Sequence, residues 1–131
     1  MKTDLMRYIL DTYGIEPDCP FAMESNTLIF RNPRNRKWFA VLLGQLSKRH
    51  LGLQDDGVAD VLNLKCDPIM TFSLIDHQKI FPAHHMNKEH WVSVLLDSPI
   101  TKEELVFLVD LSYRLVDQKG KQKTGRKKQN K

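Results

Sequence analysis

The sequence predicts a two-layer α+β sandwich, an antiparallel sheet with helices on one face. Three observations lead there. Short segments rich in β-branched and aromatic residues (27–31, 37–43, 58–65 and 90–96) are separated by turn-forming residues, not by helical crossovers. Helix signals fall at the two ends of the chain and at one short central stretch. Amphipathic helices need an apolar surface to cover, and one face of the sheet supplies it. The other face is then expected to stay open to solvent or to a partner.

Each element has its own local reason. In the first helix Leu5, Tyr8, Ile9 and Thr12 fall at helical spacing, between Thr3 as N-cap and Gly14 as C-terminal stop. Pro17 and Pro20 make 15–26 a loop. Thr27–Arg31 and Lys37–Leu43 flank Asn32-Pro33-Arg34-Asn35-Arg36, and proline early in a turn fits a hairpin with a slightly long tip. Ser47-Lys48-Arg49-His50 reads as another tip, and Asp56-Gly57 is a strong turn signal before a strand over Val58–Lys65. Asp67-Pro68 sets an N-cap and a first-turn proline, which predicts a short helix over 68–76. His90–Leu96 alternates Trp91, Ser93 and Leu95 against Val92, Val94 and Leu96 as a last strand. Thr101-Lys102-Glu103-Glu104 is a capping box, opening a helix whose Leu105, Leu108, Val109, Ser112, Leu115 and Val116 share one face.

Composition narrows the function. At 131 residues and 41% hydrophobic content the chain supports one domain, expected over residues 1–117. Its longest apolar run, Trp38 to Leu43, is too short for a bilayer, and Asp4 and Arg7 interrupt any signal-like N-terminus. Cys19 and Cys66 lie far apart without a CxxC pair, which suits reduced thiols in a cytoplasmic protein. The net charge of +4 suggests an anionic partner, yet its distribution matters more. Seven of the 20 basic residues lie in 118–131, where no acid occurs, so that tail is expected to be disordered and strongly cationic. The remaining 13 face all 16 acids in residues 1–117, leaving the body at −3.

Several residue groups together resemble the MmcQ/YjbR family of small bacterial proteins. They are Leu64-Lys65-Cys66-Asp67-Pro68, His85-Met86-Asn87-Lys88 with His90-Trp91, and Asp110 through Ser112-Tyr113 to Leu115-Val116. Cys19-Pro20-Phe21 and Trp38-Phe39-Ala40 fit as well. The resemblance covers roughly residues 3–117. It implies a fold like that of the frataxin homologue CyaY, a double-wing motif and DNA binding. The first turn here is the longer, basic NPRNR, and Ala83-His84 and Glu89 stand where other residues are usual in that family.

The candidate site residues follow from charge and shape. Arg31, Arg34, Arg36 and Lys37 crowd the first tip, and Lys48 and Arg49 the second; such tips could track phosphates or could be solvated turns. In the segment 82–91, Asn87 and Lys88 offer donors to an anion, while His85 and Trp91 could meet a sugar or a base or could simply belong to the core. The histidines His77, His84, His85 and His90 do not match a tetrahedral metal spacing, so neither metal nor cofactor is expected. Cys66, after Lys65 and before a helix start, carries two influences that lower a thiol pKa, although a packed thiol is the plainer reading. The combined expectation is a non-enzymatic, cytoplasmic DNA-binding protein with no membrane association. The alternative is a protein-interaction or small-ligand module using the open sheet face.

Overall fold

The computed structural model describes residues 1–19 and 26–117. The basic tail expected at 118–131 lies outside them. Helix α1 (Lys2–Tyr13) buries Leu5 and Ile9, one turn apart, and stops where Gly14 turns left-handed at φ 67°. There the Gly14 N–H reaches the Leu10 carbonyl at 2.8 Å. Its N-cap is Met1 without a side-chain bond, so Thr3 sits inside the helix instead of starting it.

Strands β1 (Thr27–Arg31), β2 (Trp38–Ser47), β3 (Val58–Lys65), β4 (Ile80–Pro82) and β5 (Trp91–Leu95) form one sheet in the order β1-β2-β3-β5-β4. All of its pairings are antiparallel. β2 runs on past the expected Leu43 because a bulge at Gly44-Gln45 lets it keep pairing with β3. A Cβ at Gly44 would come within 3.0 Å of Asn26 Cβ and 3.1 Å of its carbonyl oxygen, so a larger residue there requires Asn26 to give way. Strand β4 is absent from the sequence reading; three residues are too few for a periodicity. Between β3 and β4, α2 (Pro68–Leu74) is capped by Asp67, whose carboxylate accepts the Ile69 N–H at 2.9 Å. The Thr101 capping box closes as expected at the start of α3 (Lys102–Asp117), with Glu104 N–H on Thr101 Oγ1 at 3.1 Å and Thr101 N–H on Glu104 Oε1 at 3.0 Å.

All three helices cover one face of the sheet. Leu5 and Ile9 of α1, Met70 and Leu74 of α2, and Leu105, Leu108 and Val109 of α3 pack on Phe30, Leu42, Leu62, Val92 and Val94. Ser112 locks α3 down: its hydroxyl donates to the Phe39 carbonyl at 2.5 Å and accepts the Lys65 N–H at 2.9 Å.

The opposite face corrects the expectation of an open sheet. Ile29, Val41, Val61, Phe81 and Leu95 point there and are buried. Leu51 and Leu53, from a 3-10 turn (Lys48–Leu51) and the residues after it, cover one part. Ala83 and Met86 of the β4–β5 loop cover another, together with Trp91. Loops bury an apolar face as well as helices do when their own backbone polar groups are satisfied.

α1 and α3 are joined by a polar contact. The Tyr8 and Tyr13 hydroxyls both donate to the Asp110 carboxylate, at 2.7 Å and 2.5 Å, and Tyr13 stacks on Tyr113 at 4.0 Å. Burial, then the bond and the charge of Asp110, push the Tyr13 phenol well above its ordinary value. In the unfolded chain that phenol ionises near pH ~10, so from there upward the folded state holds the extra proton and stability falls as pH rises. Urea unfolding at pH 9, 10 and 11 should show this decline, and Tyr13→Phe should flatten it.

Candidate nucleic-acid interface

The first hairpin tip is stitched to the end of α3. Asn32 is wholly buried; its amide donates to Asp117 at 2.8 Å and its oxygen accepts the Arg34 N–H at 2.8 Å. Arg34 pairs with the same Asp117 carboxylate. Asn35 donates to the Val116 carbonyl at 2.8 Å, capping α3 from across the fold. Arg31 is held by Asp18 at 2.5 Å and lies 5.6 Å from the centre of the Trp38 ring. Arg36, at φ 66°, and Lys37 are exposed and have no ion-pair partner among the described residues. Trp38 beside them is 36% exposed. Of the expected cations at this tip, two are engaged and two are presented to solvent.

The second tip lies at the far end of β2. Ten residues at about 3.3 Å each put its start some 30 Å from the first tip. Lys48 pairs with Asp55 at 3.4 Å and Arg49 with Asp56 at 2.6 Å, so both expected cations face carboxylates of their own loop. Asp55 also accepts the Gly57 N–H at 2.8 Å; that bond, followed by Lys48, holds its carboxyl below the usual range.

Between β4 and β5 the expected binding groups spend their polar atoms on the loop itself. The Asn87 side-chain oxygen accepts the Glu89 and His90 N–H groups at 2.8 Å and 3.2 Å. Lys88 donates to the Ala83 carbonyl at 2.8 Å. Trp91 is buried on the face away from the helices, with the Lys65 ammonium 6.0 Å from its ring centre. His85 is exposed, in the left-handed region at φ 63°.

Two sequence readings of chemistry change. Cys66 is buried, and desolvation pushes its thiol up, outweighing the hydrogen bonds from Thr71 and the Asp67 backbone that favour the thiolate. The helix start and Lys65 therefore do not make it a ready nucleophile. The histidines regroup as well. His84 and His85 are joined by His50 from the other side of the sheet face, while His77 stands against Phe81. Among the described residues no three His, Cys, Asp or Glu side chains are arranged to hold a metal ion, and no helix is long and apolar enough to cross a membrane.

Sequence reasoning missed Asp117, and it placed His50 in the second tip without its stacking on His84. Nothing local points to Asp117, which meets its partners only through the fold. The pairing at the second tip was visible, since Lys48-Arg49 and Asp55-Asp56 are two doublets of opposite sign at equal spacing within one loop.

Comparison with known proteins places these features. The YjbR family model matches residues 10–115. A Bacillus subtilis protein, YyaQ, is 33% identical over 114 residues, which cover 87% of this chain and 96% of that protein. A crystal structure from Pseudomonas syringae superposes with a TM-score of 0.83 at 34% identity, covering 88% of this chain and 97% of the other. A second crystal structure, from Deinococcus radiodurans, superposes at 0.67 with 31% identity, covering 95% and 85%.

Proposed function

The chain belongs to the YjbR family, and from that premise and the geometry of its first hairpin we propose that it is a non-enzymatic, cytoplasmic DNA-binding protein. The observation that carries the reading is the bonding of Asn32 and Arg34 to Asp117. It fixes the point at which the seven-cation segment 118–131 begins beside the two unpaired cations of the tip, Arg36 and Lys37. The seven cations of the segment would then add to those of the tip, on a body whose residues 1–117 sum to −3 with Arg36 and Lys37 included. Trp38, exposed next to them, offers a face on which a base can stack. Arg31, Arg34, Lys48 and Arg49 join only by exchanging a carboxylate for a phosphate, and Lys88 through the N–H groups it does not spend on Ala83. The body then positions, and the tail supplies most of the attraction, which makes binding sequence-tolerant and steeply salt-dependent.

Fluorescence anisotropy with duplex and single-stranded DNA across a salt series tests this. Arg36→Glu/Lys37→Glu is expected to weaken binding about tenfold at low salt, and removal of 118–131 to flatten the salt slope by several units. Full affinity in the charge-reversed protein would show that the hairpin takes no part.

A second reading, a protein-interaction module, moves from the sheet face to α2. There Ile69 and Phe72, one turn apart, are 85% and 76% exposed. It prevails if the full-length chain binds no nucleic acid at low salt.

A further inference from the structure

The sheet face away from the helices carries a feature that the hairpin and tail do not use. His50, from the 3-10 turn after β2, stacks on His84 of the β4–β5 loop, with ring centres 4.8 Å apart and planes 10° from parallel. His84 in turn contacts His85 at 3.8 Å. The central ring is built in. Its backbone N–H donates to Ser93 Oγ at 2.9 Å, and its carbonyl accepts from Asn63 at 3.0 Å. Asn63 and Ser93 are themselves buried and bonded to each other at 2.5 Å. The fold thus spends a buried polar pair on holding one histidine in place.

We propose that His50, His84, His85 and Lys88 form a phosphate-binding site. No ring nitrogen of the three histidines has a hydrogen-bond partner among the described residues, so up to six donor or acceptor positions stand unused. The charged groups that bear on His84 are all basic: His85 and Lys88 from its own loop, His50 from the facing turn. Neighbouring Arg49 is occupied by Asp56, and the sheet beneath contributes only the neutral Asn63 and Ser93. Lys88 spends one N–H on Ala83 and keeps two. Unpaired N–H donors and latent cations without a carboxylate suit an oxyanion. They do not suit a metal ion, because stacked rings aim their nitrogens side by side instead of at one point.

The site should strengthen as the imidazoles take up protons. Burial, then His85, His50 and Lys88, hold the His84 imidazole below its ordinary value, so it is neutral at pH 7 until an anion compensates the charge. Above the imidazole range each linked proton costs about tenfold in affinity per pH unit.

Imidazole ring resonances of the full-length protein, followed by NMR from pH 5 to 8, test the site. Inorganic phosphate and dimethyl phosphate are the probes, each against chloride at equal ionic strength. Phosphate should move the midpoints of His50, His84 and His85 upward together, and His50→Gln should lessen the shift at His84. A response to dimethyl phosphate as well assigns the site to phosphodiesters; a response to inorganic phosphate alone assigns it to free phosphate or monoesters. Midpoints unmoved by both probes would overturn the site. Its failure is separable from failure of DNA binding, because Arg36→Glu/Lys37→Glu leaves all three imidazoles in place.

Discussion

An Asn63→Leu variant is expected to lose about 3 kcal/mol of unfolding free energy, although leucine matches the volume and the residue faces an apolar layer. Asn63 is fully buried on β3, opposite Ser93 of β5 in the register of the sheet. Its oxygen accepts the Ser93 hydroxyl and its amide donates to the His84 carbonyl. Leucine leaves a buried hydroxyl donor and a carbonyl without partners, and each such orphan costs about 1–3 kcal/mol. Ser93→Ala in the same background removes the hydroxyl orphan but frees the His84 N–H that donates to it, so the double variant should be about as unstable as Asn63→Leu alone. The two substitutions should therefore be non-additive by 1 kcal/mol or more, as bonded neighbours are. Urea denaturation of the four proteins in the cycle measures this. Hydrogen exchange should also localise the damage, with faster exchange in 83–90 and little change in α1 or α3. A strictly additive cycle would show that the pair does not act as a unit.

The helix-facing half of the molecule was legible because its signals are local. The Thr101–Glu104 box, the Asp67-Pro68 start and Gly14 each act within four residues, so each can be read without the fold. The other half was not. β5 alternates Trp91, Ser93 and Leu95 with Val92 and Val94, and β2 places Val41 and Leu43 behind Ala40 and Leu42. Strands apolar on both faces are buried on both faces, and that pattern already argued against an open side. What the pattern withholds is the cover, since a 3-10 turn and an irregular loop have no period to detect.

Charge was the other blind spot. Arg31, Arg34, Lys48 and Arg49 form clusters along the chain, yet each meets a carboxylate in the fold. Two partners, Asp55 and Asp56, sit seven residues away; a third, Asp117, sits 83 away. Exposed pairs of this kind contribute about 0–1 kcal/mol each, so they are weak as structure but decisive for which cations a phosphate finds unoccupied.

The second large effect lies where the hairpin meets α3. Phe39→Ala should cost about 3–5 kcal/mol, the range for removing a fully buried phenyl ring. Phe39 is wholly buried just behind the tip and contacts three rings: Tyr13 and Phe30 at 6.4 Å, and Tyr113 at 5.2 Å. Those rings come from α1, β1 and α3, so the cavity opens at the junction of both layers instead of inside one. Phe39→Leu keeps most of the volume and should cost about 1.5 kcal/mol or less. The Ser112 bond goes to the Phe39 backbone carbonyl, which neither substitution removes, so α3 keeps its anchor on β2. The loss is then a packing loss. It should appear as a lower urea midpoint with an unchanged m-value in both variants. A decrease in m for Phe39→Ala would instead mean that α3 had come away from the sheet. Arg36 and Lys37 owe nothing to the ring. DNA affinity of the folded Phe39→Leu protein should therefore match that of the parent chain, and a tenfold drop would mean that the core and the basic tip are coupled.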